Sequence, residues 1–121
     1  MILFDQGELK KIDAEKIRPT EAQITADIYH ALKSAGHKCA LEFPVKFEGT
    51  TKRIDILVFG DDGTPAAAIE VKRPNASNYM KIGSHALNQG RFYTWLSNNG
   101  VSTKYVNDVS GAVSFIEELS L

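Results

Sequence analysis

What the chain has little of sets the first limits. It has one cysteine, Cys39, in 121 residues. A lone cysteine excludes an internal disulfide and fits a reducing compartment, so a cytoplasmic location is expected. No apolar run approaches the roughly 20 residues that a membrane-spanning helix needs. The start, Met1-Ile-Leu-Phe-Asp5, has neither a basic region nor a long apolar segment, so no secretory signal is read there. Repeats and low-complexity tracts are absent. Net charge is −1, so no overall positive field announces a nucleic-acid partner. His30, His37 and His85 have no mutual ligand spacing, which argues against zinc.

What is present is ordinary in amount and unusual in placement. A hydrophobic content of 43% with 24% charged residues is enough for one soluble domain, 1–121, with a modest core. Residues 1–18 read as an N-terminal arm or small hairpin, 19–107 as the core and 108–121 as a C-terminal helix. Thr20 is placed to cap a first helix that carries Ile24, Ile28, Leu32 and Ala35 on one face and stops at Gly36. Counted back along that stripe, Glu21 falls on the apolar face. Strands are expected over 39–47, 53–59 and 66–72, with Gly60-Asp-Asp-Gly63 as a turn and Pro44 marking an edge or bulge. Asp61 and Asp62 read as turn residues, because the other ligands of a calcium loop are missing. A second helix spans about 83–97, with Gln89 and Tyr93 on one face and Trp95 in the core. A short strand over 103–107 and a last helix capped by Ser110 complete the order α-β-β-β-α-β-α.

Chemistry concentrates between Arg53 and Pro74. Asp55 interrupts one apolar strand, and Glu70-Val71-Lys72 ends the next. Charges in such strands are costly unless something binds them. Glu70 and Lys72, two apart, share a face of their strand. A turn joins that strand to the one bearing Asp55, so the two acids are expected to converge. Two carboxylates plus water suit Mg²⁺, with Mn²⁺ as a substitute and the Val71 carbonyl as a further ligand. Such an ion polarises a phosphate oxygen and helps make hydroxide. Lys72 is then placed to orient the water or offset transition-state charge. Glu21 is placed to hold the ion through a water.

These residues resemble the PD-(D/E)xK nuclease superfamily. Within it they look most like the N-terminal nuclease domain of type I restriction enzyme motor subunits. The resemblance rests on Thr20-Glu21, Leu41-Glu-Phe-Pro-Val45, Arg53-Ile-Asp-Ile56, Ala68-Ile-Glu-Val-Lys-Arg-Pro74 and Gln89-Gly-Arg-Phe-Tyr93, and it covers roughly 19–107. Ile54 stands where the superfamily's name has proline. The resemblance implies a restriction-endonuclease-like mixed sheet flanked by helices. It implies a metal-dependent endonuclease with Asp55, Glu70 and Lys72 as the catalytic set, Glu21 as the helix acid, and Gln89 and Tyr93 as residues of a motif following the core. DNA is the implied partner, with Lys52, Arg53, Arg73 and Arg91 added to Gln89 and Tyr93 as contacts. A homodimer, or a module of a larger nuclease, fits a reaction on two strands. A branched-DNA resolvase and a catalytically weak DNA-binding module are the alternatives.

Plainer readings compete at each position. Glu70 and Lys72 suit a surface ion pair on an edge strand. Glu21 suits the helix dipole. Glu42, beside Pro44, suits solvent. Gln89 and Tyr93 suit helix packing with satisfied polar tips.

Overall fold

Thr20 opens the first helix through a reciprocal cap. Its hydroxyl accepts the Gln23 N–H at 3.1 Å, and the Gln23 side chain accepts the Thr20 N–H at 2.9 Å. This geometry comes from a computed structural model that describes residues 19–73 and 84–121. The arm expected over 1–18, and Pro74, lie outside the described residues. Helix α1, Glu21–Ser34, buries Ile24, Ile28 and Leu32. Ala35, expected on that stripe, is instead the exposed C-cap, because the helix ends one residue earlier.

Strands β1 (Lys38–Phe47), β2 (Thr50–Phe59) and β3 (Pro65–Val71) form an antiparallel meander. Helix α2 (Ser84–Asn98) then leads to β4 (Ser102–Val106), which pairs parallel to β3. Helix α3 (Val109–Glu118) follows. The mixed sheet has the order β1-β2-β3-β4, and the element order is the α-β-β-β-α-β-α expected. Between β2 and β3, Asp62 Oδ1 accepts from both the N–H and the hydroxyl of Thr64, at 3.0 and 2.7 Å. Gly63 supplies the φ of 83° the turn requires. Asp62 therefore does turn work, as expected.

The last helix starts differently from the sequence reading. Asp108, not Ser110, is the N-cap, and its Oδ1 accepts the Gly111 N–H at 2.7 Å. A carboxylate is a strong cap acceptor, and it sits two residues earlier, so Ser110 falls inside the first turn.

Alternation along the strands builds two cores. Ile56, Val58, Ile69 and Val71 face α1 and α3, where they meet Ile24, Ile28, Leu32, Ala112 and Ile116. Leu57 and Ala68 face the other way and meet Phe92, Tyr93 and Leu96 of α2. The sheet is thus a middle layer, and Glu70, between Ile69 and Val71, must point at α2. Trp95 departs from expectation. It is 38% exposed, while Leu96 takes the core position beside it. Its ring lies on the outer side of α2 against Phe47 and Phe92.

One irregularity matters for the site. The β1–β2 ladder pairs Leu41 with Ile56 and Phe43 with Ile54 but skips Glu42 and Asp55 between them. Glu42 has a φ of 48°. Ile54 and Ile56 consequently pack in different cores, although they are two residues apart. The regular pleat breaks at Asp55. Among the described residues, no helix is long and apolar enough to cross a membrane.

Candidate active site

Glu70, near the end of β3, is buried, with only 6% of its surface exposed. Three side chains satisfy it. The Gln89 amide donates to Oε1 at 2.7 Å, and the Tyr93 hydroxyl donates to Oε2 at 2.8 Å. Lys72 Nζ lies 3.4 Å from Oε1. Gln89 and Tyr93 are four apart on α2, one helical turn, so both reach the same carboxylate. Burial and the negative charge of Glu70 push the Tyr93 phenol well above its usual range, which keeps it protonated as a donor. Glu70 and Lys72 do form an ion pair, but a half-dry one with side chains 8% and 19% exposed, not a surface pair.

Asp55 meets Glu70 across the β2–β3 ladder, as the shared turn implied. Its Oδ2 accepts the Val71 N–H at 2.8 Å. Its pKa is pushed up to about 6, first by burial, then by the negative charge of Glu70 and a carboxyl contact with it. The Val71 N–H and the Lys72 ammonium pull it down, without prevailing. Two oxygen-rich groups are thus forced together at an energetic cost, which is what a hard divalent ion would relieve. Among the described residues no group of three or more His, Cys, Asp and Glu is arranged to hold a metal. The protein donors available are therefore the pair itself and backbone oxygens such as that of Val71. Mg²⁺ tolerates such a short set because it keeps several waters.

Glu21 corrects the sequence reading in part. It is exposed, not on a covered face. The buried stripe begins at Ile24, and the turn before it is a helix end that the sheet does not cover. Its carboxylate nonetheless turns toward the site, accepting the Arg73 N–H at a long 3.4 Å. It also shares an open cavity of about 480 Å³ with Glu42 and Asp55. Glu42 is exposed as expected, but on this cavity, where its left-handed backbone turns it beside Asp55.

The basic residues divide. Arg73 follows β3 and sits beside the acids. Lys52 and Arg53 lie earlier on β2, opposite Val45 and Pro44. Arg91 is on the far side of α2 from Gln89, where it pairs with Glu48. Tyr105 carries no motif in the sequence, yet β4 sets it opposite Glu70, with its ring 5.6 Å from that of Tyr93. Finding it required the parallel register, which spacing alone does not give.

A model of the family described as type I restriction enzyme R protein N terminus matches residues 16–118. The chain belongs to that family. The match spans every described helix and strand, the Asp55–Glu70 pair and the Gln89 and Tyr93 contacts included. No curated protein and no solved structure matches the chain.

Proposed function

We propose that this domain is a Mg²⁺-dependent endodeoxyribonuclease of the PD-(D/E)xK superfamily. One observation carries the reading. Asp55 and Glu70 converge at the end of a strand pair, with Lys72 on Glu70 at 3.4 Å. Membership in a family named for a restriction enzyme supports a nuclease-related role. In this reading Asp55 and Glu70, with the Val71 carbonyl, hold the ion. When bound, the ion polarises a phosphate oxygen and acidifies water. The Val71 N–H fixes Asp55, while Gln89 and Tyr93 fix Glu70, so both ligands are set before an ion arrives. Lys72 stands on Glu70 beside the site, where it offsets charge building on the phosphate. Glu21 and Arg73 close the rim. DNA is the substrate, and the domain acts as a module of a larger nuclease or pairs with a second copy.

The test is cleavage of plasmid, linear, single-stranded and four-way-junction DNA in Mg²⁺ or Mn²⁺. Wild type is expected to cut, and Lys72→Ala to lose at least a hundredfold in rate. No cleavage of any substrate would sink the enzyme reading. Activity that survives Lys72→Ala would sink the site assignment. Selective cutting of the junction would favour a resolvase.

A further inference from the structure

Beside the acids, next to Lys72, lies a small pocket of about 150 Å³. Lys72, Lys104, Tyr105 and Asn107 are among its lining residues. We propose that this pocket is a nucleotide subsite for an unpaired stretch of DNA, with Tyr105 as a base-stacking platform and Lys104 as a phosphate contact. The proposal rests on the nuclease reading and extends it to residues outside the acid pair and its supports.

Tyr105 is a large aromatic residue left 43% exposed. A single exposed aromatic is ordinary, but this one is not placed at random. The parallel register puts it directly opposite Glu70 on β3. Its ring rests against Tyr93 at 5.6 Å, with the planes 49° apart. Tyr93 in turn donates to Glu70. One tyrosine therefore holds both the buried acid and the exposed ring, which fixes the distance between them. The Tyr105 phenol is pushed above its usual range by burial and by Glu70, while Lys72 pulls it down, so the ring senses both site charges.

Lys104 precedes Tyr105, so it leaves the other face of β4, and it is exposed there on the edge strand, where its long side chain reaches round the margin. Lys72 and Lys104 are the charged residues that line the pocket; the Lys72 ammonium is already on Glu70 at 3.4 Å, which makes Lys104 the cation for a phosphate. That contrasts with the larger cavity, which Asp55 lines together with Glu21 and Glu42. A DNA strand passing the margin of the sheet at β4 meets the Tyr105 ring on one face of that strand and Lys104 on the other. The lysine suits a phosphate, and a flat exposed ring suits a base that has left its partner. A paired base would present only its edge to such a ring.

The test measures binding of a fluorescent single-stranded oligodeoxynucleotide and its duplex, in Ca²⁺, across a salt series. Tyr105→Ala is expected to weaken single-strand binding about tenfold, with Tyr105→Phe restoring it. The duplex is expected to lose less. Lys104→Gln is expected to make the salt dependence shallower by about one ion released. Thermal melting checks that each variant is folded, and Tyr105→Thr offers a strand-compatible replacement if alanine is not. Variants that bind like wild type would overturn the subsite and leave the nuclease reading intact, provided wild type cuts DNA. Equal losses for Tyr105→Ala and Tyr105→Phe would implicate the hydroxyl and overturn stacking. A wild-type domain that neither binds nor cuts DNA would remove the subsite along with the nuclease reading.

Discussion

Asp55 ionises less readily in the folded chain than in the unfolded one. Its ordinary value of 3.8 rises to about 6. Between those values the folded chain binds the extra proton, so stability increases as pH falls from above 6 toward 3.8. The charged form costs about 1–2 kcal/mol at neutral pH, once reduced for the solvent that the side chain still meets. Asp55→Asn keeps an oxygen for the Val71 N–H and removes the charge. It is expected to raise the melting temperature by about 5 °C at pH 7.5 in EDTA and to flatten the pH dependence between 4 and 6. A lower melting temperature would contradict the carboxylate repulsion described for this pair. Mg²⁺ is expected to raise the melting temperature of wild type and not of Asp55→Asn. Equal shifts in both would place any bound ion elsewhere. These residues were legible as a pair because acids in apolar strands are conspicuous. The break in the pleat at Asp55 was not legible, since Glu42 gives no sign in the sequence of its left-handed backbone.

Helix α2 does two tasks with one face. Phe92 and Leu96 seal the second core, while Gln89 and Tyr93 hold Glu70. Tyr93→Phe keeps the ring and deletes one donor to a buried carboxylate. The expected loss is about 1–3 kcal/mol, read by urea denaturation, with slower DNA cleavage. An unchanged midpoint would mean that Glu70 finds another donor. The capping box of α1 is a separate and smaller contribution: Thr20→Ala should cost about 1 kcal/mol in the same assay. Helices and strands were readable from periodicity, and the order of the seven described elements followed. Periodicity failed at element ends. It carried Glu21 and Ala35 onto a stripe that the sheet does not cover, because a repeat in sequence does not say where the neighbouring layer stops. Trp95 failed for a related reason. Its size suggested the core, but Leu96 fills that position and leaves the indole on the outer side of α2.

At the scale of the molecule, a net charge of −1 limits how the proposed DNA substrate can be held. Attraction must come from the few cations near the acids, so log affinity is expected to fall with log salt at a slope of about −3 to −4. A slope near −8, read from the same titrations, would require a basic surface far wider than this one. The convergence of β2, β3 and α2 on Glu70 was partly legible, since a turn and a helical repeat each constrain two of the partners. The place of Tyr105 was not, because a parallel pairing across a crossover is set by the packed helix between the strands. The outer margin of the sheet at β1 has a consequence for how copies of the domain can meet. Pro44 offers no backbone donor, and Glu42 departs from the extended conformation in the same strand. A neighbouring molecule cannot lay a strand along this margin and continue the ladder through both residues. Pro44→Val is therefore expected to raise self-association measured by light scattering, and no change would show that the margin was already protected. Growth of the sheet by a second copy is thereby confined to its other margin, along β4.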